Sequence, residues 1–183
     1  MKKYFPIYLY GAIIILDGIF LQFTEYYTFN SIKLSLGISL TIGAILAFMA
    51  AFSQQRKQVQ FAYHELHALA ALVYGISILV FGNTFEKLIY FTAFLFIFYS
   101  FSEIIFCNWL FNLGQKVVFK IIIVRLLLGL ATGFGTIVTM YFSSSTLVGF
   151  GILFIMVGIN IMLYVPVLKG KDQSELKLAE NEL

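Results

Sequence analysis

The chain has 183 residues, of which 61% are hydrophobic and only 11% are charged, and its formal net charge at pH 7 is +3. Soluble domains carry about 25% charged residues, so this composition excludes a water-covered globule and favours a lipid-facing exterior. The small net charge excludes a nucleic-acid-binding protein. The single cysteine, Cys107, excludes an intramolecular disulfide and cysteine-rich zinc or iron–sulfur sites.

Six apolar segments follow one another along the chain, each about 18–25 residues long. They cover residues 5–22, 32–52, 65–82, 86–106, 117–141 and 145–168. At about 1.5 Å per residue, helices of this length cross a hydrocarbon core of about 30 Å. The runs are continuous rather than alternating, which predicts helices and not the strands of a β-barrel. We therefore predict an all-α membrane protein with six transmembrane helices in residues 1–168 and a polar cytoplasmic tail in 169–183.

The charged residues predict how the chain is oriented. Lys2 and Lys3 precede the first apolar run as in a signal peptide, but no small-residue cleavage site follows, so we expect a retained first helix. On one side of the membrane, only Lys33 and Lys87 lie in or directly beside the connections. The positive-inside rule therefore places both termini in the cytoplasm of a bacterial inner membrane. The basic residues on the cytoplasmic side are Lys2, Lys3, Arg56, Lys57, Lys116, Lys120, Lys169, Lys171 and Lys177.

Three hairpins, at about 5–52, 65–106 and 117–168, look like parallel repeats of one unit. Aligning 10–46, 67–103 and 125–161 produces one column of polar residues and two columns of small residues. Small residues allow helix backbones to approach closely in a membrane, so we expect these columns to serve helix packing around a pseudo-threefold axis. Chance agreement is the alternative, because small residues are common in such helices. The columns are Asp17, Tyr74 and Thr132; Gly18, Gly75 and Gly133; and Gly43, Ser100 and Gly158.

The three outward hairpins and their glycine columns, as in GFGTIVTMYFSSSTLVGFGILFIMVG (133–158), resemble the HdeD-type acid-resistance membrane proteins of bacteria. The resemblance spans residues 8–168. It implies a six-span inner-membrane protein connected with acid stress, without catalytic residues to carry over. The chain departs from that family in its prolines. In the family a proline tends to follow the first helix of a hairpin, whereas this chain has only Pro6 and Pro166.

The stretch YHELHALAALVYG (63–75) contains both histidines of the chain. His64 and His67 are three residues apart, whereas the zinc-protease motif requires two histidines four apart. No third ligand is apparent, so we expect no metal and no cofactor. His67 shares its repeat column with Tyr10 and Arg125, near the cytoplasmic ends of the first helices, which favours anchoring at the headgroup level. The alternatives are pH sensing by His64 and His67, and metal or haem binding.

Three charged residues lie well inside the predicted spans: Asp17, Glu103 and Arg125. An aspartate at the centre of a span costs about 2.5–3.5 kcal/mol on insertion scales, so Asp17 is expected to face the bundle. Tyr74 and Thr132 are its expected hydrogen-bond partners, in a cluster that holds helices together or responds to protons or ions. A third possibility is that Asp17 lies close enough to the outer side of the membrane to contact water. Glu103 and Arg125 lie on successive helices and are expected to form an ion pair, which is structural or, alternatively, recognises a substrate.

The sequence contains no phosphate-binding glycine loop, nucleophile elbow or carboxylate cluster with two-metal spacing, so we predict a non-enzymatic protein. Three functions remain open. The first is a role in acid or envelope stress, and the second is that of an accessory or structural subunit in a larger membrane complex. The third is a small transporter or channel, for which the polar residues are few. The expected partners are the lipid bilayer and, for the second function, other membrane protein subunits.

Overall fold

The computed structural model describes residues 4–53, 59–112, 119–142 and 146–169, and it describes no side chain between residues 50 and 66. Within these ranges the chain is helical and contains no strand, which confirms the predicted all-α class. One helical turn at Thr24–Tyr26 separates the first two helices, and a helical stretch at 164–169 follows the last. The helices are α1 (Phe5–Leu21), α2 (Phe29–Ser53), α3 (Val59–Phe81), α4 (Phe85–Asn112), α5 (Phe119–Phe142) and α6 (Thr146–Met162).

Hydroxyl side chains cap the helices that follow the α1–α2 and α3–α4 connections. Thr28 Oγ1 accepts a hydrogen bond from the backbone N–H of Ser31 at 3.3 Å, and Thr84 Oγ1 accepts one from Lys87 at 3.3 Å. Each bond satisfies an amide that has no partner within its own helix. In α1, Pro6 lies in the first turn, where no amide hydrogen is needed. The caps explain why α2 begins at Phe29, three residues earlier than the apolar run predicts.

Four helices are long and apolar enough to cross a membrane, and they support the prediction of a membrane protein. The two other predicted spans contain shorter apolar helices, Phe5–Leu21 and His67–Phe81. The fourth helix continues beyond the predicted end at residue 106 to Asn112, because CNWLFN (107–112) contains no glycine or proline to stop it. The four long segments are Phe29–Met49, Phe85–Asn112, Phe119–Phe142 and Thr146–Lys169.

The helices form a closed ring in chain order, in which α6 returns to pack on α1. The most extensive contacts are α1–α6, α2–α3 and α4–α5, so each hairpin packs more closely on the next hairpin than its two helices pack on each other. A Cβ atom on Gly18 would lie 2.5 Å from the carbonyl oxygen of Gly151, and one on Gly158 would lie 2.7 Å from that of Gly11. Helices α1 and α6 therefore touch backbone to backbone, which only glycine permits.

The other predicted packing residues also lie at helix–helix contacts. Gly75 of α3 packs against the backbone of α2, and Gly133 of α5 packs against the side chain of Ser100 of α4. Gly43 of α2 lies under the ring of Tyr10, within the first hairpin. At each of these glycines a larger side chain would force the neighbouring helix to move.

Aromatic side chains fill the centre of the ring. Phe96 of α4 makes edge-to-face contacts with Phe150 and Phe154 of α6, with ring centroids 5.6 and 4.8 Å apart. A void of about 10 Å³ remains between Phe96, Phe154 and the facing side chains of α1, α2 and α3. A void of this size holds at most one water molecule. The axis of the bundle is therefore packed at this level.

Candidate functional site

Seven polar side chains lie together inside the bundle, and none is more than 6% exposed. They come from α1, α3, α4, α5 and α6, so they join five of the six helices. A polar group without a partner is costly in an apolar interior, which is why such groups gather on one another. We call this set the polar layer: Tyr10, His67, Tyr99, Glu103, Cys107, Arg125 and Asn160.

His67 lies between α1 and α4 in the polar layer. The Tyr10 hydroxyl is 3.1 Å from His67 Nδ1, and the imidazole packs edge-to-face on Tyr99 with ring centroids 4.8 Å apart. The His67 side chain is only 6% exposed, so it packs inside the bundle and not on its lipid-facing surface, while its depth at the headgroup level stays a prediction. A phenol hydroxyl and an aromatic ring inside the bundle replace the interfacial water that the imidazole would otherwise need.

Asn160 of α6 connects two members of the polar layer, Tyr99 of α4 and Arg125 of α5. Its side-chain amide donates to the Tyr99 hydroxyl at 2.6 Å and to the backbone carbonyl of Arg125 at 3.4 Å. The Asn160 side chain is fully buried, and its Oδ1 has no hydrogen-bond partner within the part of the chain that the structure describes. One α6 side chain therefore holds α4 and α5 together.

Glu103 and Arg125, which the sequence predicted to pair, lie in bidentate contact. Arg125 Nε donates to Glu103 Oε1 at 2.8 Å, and its Nη2 donates to Oε2 at 2.9 Å. The Cys107 thiol donates to Glu103 Oε1 at 3.4 Å, and the guanidinium lies over the rings of Phe106 and Tyr164. Arg125 is only 1% exposed, so its guanidinium packs inside the bundle. A carboxylate and two aromatic faces inside the bundle compensate its charge.

Asp17, Tyr74 and Thr132 do not hydrogen-bond to one another, although the repeat alignment predicted that they would. The Ser39 hydroxyl lies 2.7 Å from Asp17 Oδ1 and 2.6 Å from Oδ2, within the first hairpin. Tyr74 bonds to Thr92 within the second hairpin, and Thr132 donates to a carbonyl of its own helix at 2.8 Å. Side chains at corresponding positions of three helices do not face one another unless the helices are also rotated to bring them together. Each residue instead bonds to the nearest acceptor or donor.

The contact between Asp17 and Ser39 can hold a proton. The Ser39 oxygen also lies 3.2 Å from the carbonyl oxygen of Leu36, so three oxygens surround one hydroxyl that has a single hydrogen. Protonated Asp17 would donate to Ser39 while Ser39 donates to the Leu36 carbonyl or to the second carboxyl oxygen. The Asp17 side chain is 3% exposed.

Within the described residues, no group of three or more His, Cys, Asp and Glu side chains could hold a metal ion. The His64 side chain and the tail at 170–183 lie outside the description, so the predictions made for them stay predictions.

Sequence reasoning missed Ser39, Thr92, Tyr99 and Asn160. Asn160 carries a usable signal, because an amide inside an apolar helix tends to bond across to a neighbouring helix. Hydroxyl residues carry no such signal, since they also bond to their own helix, as Thr136 does to the Thr132 carbonyl at 2.8 Å.

A scan against protein-family models and searches among curated proteins and solved structures find no match to this chain.

Proposed function

We propose that this chain is a non-enzymatic protein of the bacterial inner membrane, with six spans and both termini in the cytoplasm. The three outward hairpins would be parallel repeats, and the role of the protein would lie in the response to acid or envelope stress. The polar layer is the proposed proton-responsive element. The observation that carries the proposal is the position of His67, buried between the Tyr10 hydroxyl and the Tyr99 ring.

Protonation of His67 changes the charge of the polar layer. Histidine is the side chain whose charge changes between about pH 5 and 8. Tyr10 from α1 and Tyr99 from α4 are titratable groups that face His67, and Leu40 of α2 and Phe154 of α6 are apolar side chains near it. The other charged groups of the layer are Arg125 and Glu103, and they already engage each other. Protonation of His67 would add a second positive charge to a buried layer that already holds the Arg125 guanidinium, so acid is expected to loosen the contacts between α1, α3 and α4.

Asp17 is a second proposed proton site, separate from the polar layer. Its carboxyl group bonds to Ser39 and so links the two helices of the first hairpin. Loss of a proton from this buried group would place a negative charge beside a single hydroxyl, which favours movement of α1 away from α2 or entry of water. The two sites predict that acid and neutral pH favour different packings of α1.

Acid survival of the native bacterium tests this function. A strain without the gene is complemented with wild type, His67→Gln, Asp17→Asn and the control Ala131→Val, which changes an exposed position of α5. We expect the deletion to reduce survival in acid, and wild type and the control to restore it. His67→Gln and Asp17→Asn should restore it only in part, with normal growth at neutral pH. Full rescue by both variants, or no effect of the deletion, would contradict the proposal.

A second candidate function is that of an accessory subunit in a larger membrane complex. The observation that favours it is the exposure of large aromatic side chains on the outward faces of α4 and α5. Phe94 is 72% exposed, Phe101 is 65% exposed and Phe134 is 71% exposed. Aromatic residues are enriched at protein interfaces as well as against lipid. Extraction in a mild detergent followed by mass spectrometry separates the two functions. A fixed stoichiometric set of partners would favour the accessory subunit, and a monodisperse protein alone would favour the free-standing stress protein. The void of about 10 Å³ at the level of Phe96 and Phe154 does not favour the third candidate, a transporter or channel.

A further inference from the structure

The outer surface of the ring carries an apolar band of defined height. On α4, the exposed side chains between Lys87 and Asn108 are apolar apart from the Tyr90 hydroxyl. On α5, all exposed side chains between Lys120 and Tyr141 are apolar. Each stretch spans about 21 residues, or about 32 Å at about 1.5 Å per residue. Both heights match the hydrocarbon core of a bilayer, which is about 30 Å thick, so the edges of the band mark the level of the headgroups.

Large aromatic side chains lie at one edge of this band, where the helices meet their connections. Tyr26 lies in the helical turn after α1, Phe81 is the last residue of α3, and Phe142 is the last residue of α5. Tyr26 and Tyr141 are 82% and 79% exposed, so their rings project away from the bundle. We call this set the outer rim: Tyr26, Tyr27, Phe81, Phe85, Tyr141 and Phe142.

Exposed charged side chains adjoin the outer rim in the sequence. Glu25 precedes Tyr26 in the turn after α1, and it is exposed. Glu86 and Lys87 follow Phe85 at the start of α4, and both are exposed. The rim therefore lies at the boundary between an apolar surface and a charged one. Tyrosine suits such a boundary, because its ring is apolar and its hydroxyl can bond to water or to a lipid headgroup.

The outer rim is also distributed around the bundle. The helices follow one another around the ring in chain order, and each of the three hairpins contributes rim residues near its connection. Phe29 of the first hairpin and Phe85 of the second are in edge-to-face contact, with ring centroids 4.8 Å apart. A partner protein docked on one side would cover the rings of one or two hairpins, whereas the interface of a bilayer surrounds a bundle completely. Exposed rings on all three hairpins therefore fit the bilayer interface.

From these observations we propose that the outer rim binds the headgroup and glycerol level of one bilayer leaflet and so fixes the depth of the bundle. The inference rests on the proposed six-span arrangement and not on the acid response. The rings of Tyr26 and Tyr141 lie among the upper parts of the acyl chains, and their hydroxyls bond to headgroups or to interfacial water. A rim at this level keeps Glu25, Glu86 and Lys87 out of the hydrocarbon, where an ionised side chain is costly.

Fluorescence quenching tests the proposal, because the chain has a single tryptophan, Trp109. In a Trp109→Phe background, one tryptophan at a time is introduced by Tyr26→Trp, Tyr141→Trp or Leu130→Trp. Leu130 is the matched control, since it is exposed and lies midway along the apolar band of α5. The full chain is reconstituted into vesicles of phosphatidylethanolamine and phosphatidylglycerol that contain phospholipid brominated either near the headgroup or near the end of the acyl chain. Acrylamide measures access from water. If Trp109→Phe does not fold, Trp109→Tyr serves in its place.

We expect shallow bromines to quench the Tyr26→Trp and Tyr141→Trp proteins several-fold more strongly than deep bromines do, and Leu130→Trp to show the reverse. Rim variants quenched mainly by deep bromines, or by acrylamide without bromine quenching, would overturn the proposal. Rim variants that no quencher reaches would also overturn it, because a partner protein or a second copy would then cover the rings. In each of these cases, deep quenching of Leu130→Trp would leave the membrane arrangement intact. Absence of bromine quenching in Leu130→Trp would instead contradict that arrangement, and the proposal with it.

Discussion

The ion pair of Glu103 and Arg125 is the clearest case in which single residues stabilise the bundle. Both side chains are almost completely buried, and two hydrogen bonds join them. Removal of one member of such a pair leaves a charge in an apolar interior, which is far more costly than removal of both. The guanidinium also lies over the rings of Phe106 and Tyr164, and the Arg125 side chain is only 1% exposed.

We expect Glu103→Gln to lower the free energy of unfolding by about 3–5 kcal/mol, because the Arg125 guanidinium loses its carboxylate. The double variant Glu103→Gln/Arg125→Met should be closer to wild type than Glu103→Gln alone. Reversible unfolding in mixed detergent micelles measures both. If the single variant is as stable as wild type, the pair does not have the role assigned to it.

Hydroxyl groups link the two helices of each of the first two hairpins, and we expect the two links to differ in strength. Ser39→Ala removes the hydroxyl that contacts both oxygens of the buried Asp17 carboxyl group, and we expect it to cost about 1–3 kcal/mol. Tyr74→Phe removes a bond between two neutral groups, which in a membrane bundle costs about 0.6 kcal/mol. The same unfolding assay ranks the two variants. A larger loss for Tyr74→Phe would contradict the account of Asp17.

At the scale of helices, the α1–α6 contact closes the ring and depends on glycine. Gly18→Ala would place a methyl group 2.5 Å from the Gly151 carbonyl oxygen, which belongs to the backbone and cannot rotate away. Gly135→Ala is the matched control, because its new methyl group would meet the end of the Leu153 side chain, which can change rotamer.

We therefore expect Gly18→Ala to destabilise the protein by about 1–3 kcal/mol and Gly135→Ala to change its stability much less. Thermal unfolding in detergent measures both losses. Equal effects of the two substitutions would show that α1 and α6 have room to separate, against the backbone contact described here.

At the scale of the whole molecule, hydropathy predicts the helices well and their contacts poorly. Long continuous apolar runs specify helices such as α4 and α5 by composition alone. The rotation of each helix is not specified, because these helices are apolar on nearly every side and carry no polar face to turn outward. Asp17, Tyr74 and Thr132 were therefore predicted at related depths but with the wrong bonding partners.

In the candidate site, too, some contacts could be predicted from the sequence and others could not. Glu103 and Arg125 could be paired from the sequence, since they lie on successive helices and have opposite charge. The link through Tyr99 and Asn160 could not, because those two residues are 61 positions apart in the sequence and meet only after the ring closes. The contact between His67 and the Tyr10 hydroxyl could not be predicted either, because the two residues are 57 positions apart in the sequence.

The central claim is that His67 makes the packing of this bundle sensitive to acid. The most direct measurement is thermal unfolding of the purified protein in detergent at about pH 7.5 and about pH 5.5, on either side of the ordinary histidine range. Wild type, His67→Gln and His64→Gln are compared, the last as a matched control on the only other histidine of the chain. We predict a lower unfolding temperature in acid for wild type and for His64→Gln, and a much smaller decrease for His67→Gln. An equal decrease in all three proteins would contradict the claim.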